Sequence, residues 1–84
     1  MTVEQRLQQM LRELLDDDTV ELGDDTVAQD VPGWDSYVHI NLMYRIEQEL
    51  GVPLPGNKIF EFKNFGELKR YVIEHLSARR TELS

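Results

Sequence analysis

The chain has no cysteine, only three prolines and one tryptophan among its 84 residues. Without thiols there is neither a disulfide nor a thiolate metal site. A domain of this size must then reach its few kcal/mol of stability, about 3–5 by small-scaffold bookkeeping, through packing alone. Long apolar runs are missing too: none exceeds three residues, whereas a membrane span needs about 20. The start, Met1-Thr2-Val3-Glu4, has no basic region followed by an apolar one, so no membrane association and a cytoplasmic location are expected. Basic residues are scarce, nine Lys plus Arg against sixteen Asp plus Glu, for a formal net charge of −7. A phosphate backbone is bound through a basic stripe whose counterion release supplies affinity, so nucleic acid is not an expected partner and basic proteins are. Eighty-four residues cannot hold two independent cores or a large enzyme fold. They can still fold, because 40% are hydrophobic and the aromatics comprise three Phe, three Tyr and the Trp, more than a disordered acidic chain carries.

What is present repeats with helical spacing. Val3, Leu7, Met10, Leu11, Leu14 and Leu15 recur at steps of three and four, which predicts helix I over residues 3–15. Residues 16–35 read as a long ordered loop: Asp16, Asp17, Asp18, Glu21, Asp24, Asp25 and Asp30 come with no base, so the acidity of the molecule is local. Pro32 and Gly33 punctuate the chain, Asp35 is a good N-cap, and Gly51 with Pro53 supplies a stop, predicting helix II over 36–50. On that helix His39, Leu42, Met43, Ile46 and Leu50 share a core face. Tyr37, Ile40 and Tyr44 lie on an adjacent one, an aromatic stripe that is costly to leave wet and is a candidate docking surface. Ile59, Phe60 and Phe62 allow a short helix III near 58–62. Asn64 and Glu67 then start helix IV as a capping-box-like pair, with Phe65, Leu68, Val72 and Leu76 on one face. Helix IV is expected over about 65–77 with a frayed tail. The fold class is therefore all-α, a four-helix bundle in a single domain spanning residues 1–84.

Few side chains are set up for chemistry. Ser36 and His39 are three apart on helix II and so are neighbours, but a hydrolytic site also needs an oriented base, an oxyanion hole and a walled pocket. His39 reads better as a core or boundary histidine satisfied by a backbone group. The Asp16-Asp17-Asp18 run fails as a calcium loop, since its sixth position is Glu21 and its twelfth is Val27. No metal site and no catalytic residue are expected, and the chain is not read as an enzyme.

The remaining feature is Gly33-Trp34-Asp35-Ser36-Tyr37, a serine at the first position of a capped helix. Here the sequence resembles the acyl carrier proteins, whose hallmark is Asp-Ser-Leu at the start of the second helix. Leu54-Pro55, Phe65-Gly66-Glu67-Leu68 and Tyr71-Val72 fall where that family has its Ile-Pro, Val-Gly-Asp-Val and Tyr-Ile elements, with no gap from Asp35 to Val72. The resemblance implies a four-helix bundle of acyl-carrier type. It also implies 4′-phosphopantetheine, taken from coenzyme A and attached covalently to Ser36, with Asp35 serving as both helix cap and recognition point for a phosphopantetheinyl transferase. The arm would carry acyl or aminoacyl groups as thioesters to a loading enzyme and to downstream synthase or tailoring enzymes. Tyr37, Ile40, Asn41, Tyr44 and Gln48 would meet those partners, the carrier acting as a monomer. An anion on Ser36 would sit at the positive end of helix II, where free N–H groups and the helix dipole favour it. Tyr37 stands where the family has leucine, and the run Trp34 to Leu42 resembles discrete carriers of specialised pathways more than those of general fatty-acid synthesis. The competing reading is an interaction or regulatory bundle that kept the carrier fold without the modification.

Overall fold

The computed structural model describes residues 2–56 and 58–83, with backbone alone at 79–83. Helices α1 (Val3–Leu15), α2 (Ser36–Leu50) and α3 (Phe65–Leu83) are joined by a long loop containing one 3₁₀ turn, Ala28–Asp30, and by a second segment, residues 51–64. Among the described residues there is no β-strand.

Each helix is delimited by local chemistry. Thr2 and Gln5 form a reciprocal capping box at the start of α1, satisfying two of the donors a helix leaves free at its first turn. Its end is turned by Asp16 in the left-handed region, φ 52°, a conformation that Asp tolerates better than most side chains. The Asp35 carboxylate caps α2 by accepting from the Val38 N–H at 2.9 Å, and Gly51, at φ 69°, closes it. Asn64 accepts from the Glu67 N–H at the start of α3, while the Glu67 carboxylate accepts from the Lys63 N–H.

α1 packs on both other helices. Leu7, Met10 and Leu11 of α1 meet Leu42, Met43 and Ile46 of α2 and Phe65, Leu68 and Val72 of α3 in one core. The long loop is as much a part of that core as the helices, because Val20, Leu22, Val31 and Trp34 are buried in it. Backbone bonds hold the loop to the start of α3: the Phe65 N–H donates to Thr26 O at 2.8 Å and the Gly66 N–H to Asp24 O at 2.9 Å. A Cβ on Gly66 would stand 2.8 Å from that same Asp24 oxygen, so only glycine allows the approach. Lys69 completes the junction by pairing with Asp24 and Glu4, and the hydrogen bond to Asp24 raises the Lys69 pKa above its ordinary value.

Two expectations are corrected. The four-helix count is met only in part: the molecule has three α-helices and one 3₁₀ turn, and residues 58–60 form turns rather than a short helix III. The Lys58 N–H donates to Pro55 O and the Glu61 N–H to Lys58 O, both three-residue steps. A continuing α-helix would give the Ile59 carbonyl to the Lys63 N–H. Here that carbonyl is taken by the His39 side chain and the Lys63 N–H by Glu67. The second correction is the tail. α3 spans Phe65–Leu83 rather than ending near residue 77, and residues 77–83 contain no Gly or Pro to stop it.

Candidate functional site

Loop and helix together place Ser36. Val31 is buried, and the Trp34 N–H donates to its carbonyl at 3.2 Å. Gly33, at φ 87°, makes the turn, and the buried Trp34 indole anchors the chain just before α2 begins. Ser36 is thus the first helical residue and is exposed. With the Val38 N–H taken by the Asp35 side chain and the His39 N–H by the Asp35 carbonyl, the amides of Ser36 and Tyr37 are left as first-turn donors without an intrahelical acceptor. Beside the serine opens a depression of about 270 Å³ whose walls include Ala28, Trp34, His39, Phe60 and Phe62. A smaller void of about 30 Å³ lies adjacent, with Ala28, Trp34, His39 and Phe62 common to both.

His39 does not serve Ser36 as a base. Its Nδ1 accepts from the Trp34 indole Nε1–H at 3.2 Å, and its Nε2 faces Ile59 O at 2.5 Å. Because indole nitrogen only donates and a carbonyl only accepts, the ring is the neutral Nε2–H tautomer with both nitrogens occupied. It stacks between Trp34 and Phe60, with ring centroids 5.9 and 5.4 Å away. The reading of His39 as a histidine satisfied by a backbone group holds, its partner being Ile59 O, 20 residues further on. Its bond to Trp34, for which the five-residue spacing is the available signal, and the Gly66 contact are not part of that reading.

The outer face of α2 carries the aromatic stripe. Tyr37 is 75% exposed, Ile40 49% and Tyr44 62%. Gln48 is exposed on the same side, and Asn41 lies between, its amide donating to Tyr37 O at 2.8 Å. Val38 and Arg45, which are interleaved with these residues along the helix, do not belong to it. Val38 packs against the core, and Arg45 turns toward α1, pairing with Glu13 and Glu49 at 2.8 Å each and reaching Met10 O. The Arg45 hydrogen bond, aided by Gln9, holds the Glu13 carboxyl below its ordinary pKa. Among the described residues of α2, the face beside Ser36 is consequently left without a free cation. Among the described residues, no three or more His, Cys, Asp or Glu side chains gather as metal ligands, and no helix is long and apolar enough to cross a membrane.

The site is thus an exposed serine at a capped helix start, with His39 engaged elsewhere and a shallow aromatic hollow next to it. The comparisons supply the family. The phosphopantetheine attachment site family matches residues 5–72, and the chain belongs to it. Its fold is also that of a solved structure, the solution NMR structure of a holo acyl carrier protein from Geobacter metallireducens, with a TM-score of 0.84, 32% identity, and coverage of 98% of this chain and 93% of that one. No curated protein matches significantly. The chain is therefore an acyl carrier protein of all-helical fold whose cofactor is covalently bound 4′-phosphopantetheine, and the family is one of carriers, not catalysts. The residues here fit the group: a solvent-facing hydroxyl at Ser36 lies beside two unspent amide donors at the positive end of α2.

Proposed function

We propose that this carrier tethers acyl or aminoacyl intermediates through Ser36 and presents them to partner enzymes from the outer face of α2. The observation that carries the reading is the exposed Ser36 at the first position of a helix capped by Asp35, within the stretch matched by the family. When bound, 4′-phosphopantetheine supplies a terminal thiol on which the cargo is held as a thioester.

The chain's own residues do the rest. Asp35 fixes the direction of the first turn through Val38, which keeps the Ser36 hydroxyl in solvent where a phosphopantetheinyl transferase reaches it, and its exposed carboxylate edge is part of what that enzyme reads. The amides of Ser36 and Tyr37 and the helix dipole favour the phosphodiester anion by about 0.3–1 kcal/mol. Tyr37, Ile40, Asn41, Tyr44 and Gln48 form the surface that loading and downstream synthase or tailoring enzymes meet. Its chemistry is aromatic and amide rather than ionic, which suits partners with an apolar or polar neutral patch. The carrier works as a monomer in the cytoplasm, in a specialised pathway.

Mass spectrometry of the protein purified from its own cells tests this. The expected result is a population bearing one phosphopantetheinyl group, part of it acylated or aminoacylated, and none on Ser36→Ala expressed in the same cells. A chain that stays unmodified in its own cells and in the presence of coenzyme A and a transferase would favour the regulatory bundle instead.

A further inference from the structure

One side chain near Ser36 has no part in the attachment chemistry yet is tied in three directions. His39 accepts from Trp34, faces the Ile59 carbonyl with Nε2–H, and is stacked by Phe60. It also lines both the outer hollow and the small inner void, together with Ala28, Trp34 and Phe62. Trp34 belongs to the loop and Ile59 and Phe60 to the turn before α3. The one imidazole therefore pins two irregular segments to the first turns of α2.

We propose that His39 is a proton-sensitive latch, which holds the 58–60 turn and Trp34 against α2 while its ring is neutral and lets them go when the ring takes a second proton. The chemistry follows from the donor inventory. A proton added at Nδ1 turns the acceptor of the Trp34 N–H into a donor, and two donors then face each other with no acceptor between them. Such an arrangement in a half-buried site costs the desolvation of both groups. The ring is rigid, so any rotation that relieves the contact with Trp34 also carries Nε2 off Ile59 O. The face of Phe60 attracts a charged ring, but it offers no acceptor for the new N–H.

The charged surroundings neither forbid this nor force it. The loop contributes Asp35, whose carboxylate is engaged at Val38. The segment before α3 contributes Lys63, and the Lys58–Glu61 pair flanks the turn. α3 faces the ring with Phe65 and Leu68, which are apolar, and the loop adds Thr26 and Ala28. One residue of each sign thus lines the two spaces. The latch does not depend on the modification of Ser36, so it can fail while the carrier reading stands, and the reverse.

Trp34 is the only tryptophan of the chain and reports on the contact directly. The experiment follows its emission and the amide exchange of residues 58–62 in the unmodified full chain between pH 8 and pH 5. A His75→Gln background leaves one imidazole to titrate. Emission is expected to change in a single one-proton step, and exchange, corrected for its intrinsic pH dependence, to rise about fivefold as the contact is lost, the scale of one hydrogen bond. His39→Gln, whose amide oxygen can accept from Trp34 and whose NH₂ can donate to Ile59, should stay at the high-pH values throughout. His39→Phe, which loses both bonds, should show no pH step and should exchange residues 58–62 faster than wild type at pH 8. Flat emission in the wild-type ring, or a His39→Phe protein indistinguishable from it at pH 8, would overturn the latch. If His39→Phe fails to fold, the comparison of wild type with His39→Gln decides alone, a shared pH step in the two contradicting the proposal.

Discussion

The acidic loop and the outer face of α2 are neighbours in the chain and opposites in character. The loop holds seven acids between Asp16 and Asp30, equal in number to the whole formal net charge of −7, yet much of its acid serves structure. Asp16 turns the end of α1, Asp17 accepts from Thr19, Asp30 accepts from the Val27 N–H, and Asp24 meets Lys69. The face of α2 beside Ser36 shows mostly aromatic and amide groups, its nearest arginine having turned away to Glu13 and Glu49. The difference teaches that net charge does not mark the surface proposed for recognition. Charge here largely folds the loop, and the proposed partner surface is the uncharged stripe.

The largest effect expected from breaking this division comes at the loop's dock on α3. Gly66→Ala would place a Cβ 2.8 Å from Asp24 O and 3.0 Å from Asp24 Cβ, a clash with backbone that a rotamer change cannot relieve. Ala gains about 1 kcal/mol in helix propensity, whereas forced displacement costs about 1–3 kcal/mol and here also loses the loop bonds. The clash should win, lowering the thermal midpoint by several degrees at about 4–8 °C per kcal/mol for a domain of this size. A midpoint equal to or above wild type would show that the loop is not held there.

On the other side of the comparison, Tyr44→Ala should leave stability within about 0.5 kcal/mol, as exposed substitutions do. It should weaken engagement of a cognate loading enzyme about tenfold, the scale of an aromatic anchor. Raising salt should have only a modest effect on that engagement, because charges beyond about 8 Å are screened at physiological ionic strength. Steep salt dependence with an indifferent Tyr44 would move recognition to the loop.

The smallest effect concerns the ion pairs that clear the stripe of charge. Glu13 has its pKa lowered by the Arg45 hydrogen bond, with help from Gln9. A carboxyl depressed in the folded state adds stability above its unfolded pKa, about 4.3 for Glu, and loses that contribution as pH falls through the folded value. Glu13→Gln should therefore lower stability slightly at neutral and alkaline pH and converge with wild type in acid, which makes the acid limb of a pH–stability profile slightly shallower. An unchanged acid limb would show that Arg45 is not held by Glu13 in solution.

How much of this was legible in the sequence depends on the range of the interactions. The limits of α1 and α2 are written locally, in Thr2 with Gln5, Asp35 and Gly51, and periodic apolar positions such as Leu7, Leu11, Leu42 and Ile46 mark the core. The attachment motif is equally local. Residues 58–60 were misread because three apolar side chains look helical while the hydrogen bond that diverts them comes from His39, 20 positions earlier. Val20, Leu22 and Val31 have no helical period to betray their burial, and Gly66 gives no hint of Asp24 opposite. Arg45 likewise gives no local sign of its turn toward α1, because its partner Glu13 is 32 residues away.

The measurement that bears most directly on the account is the location of the phosphopantetheinyl group after the chain is incubated with coenzyme A and a broad-specificity transferase, read by fragmentation of the modified protein. One group on Ser36, and none on Ser77 or Ser84, is the predicted result, with Ser36→Ala left unmodified and equally helical. A group found on another serine, or equal modification of Ser36→Ala, would contradict the claim that the capped start of α2 is where this carrier takes its arm.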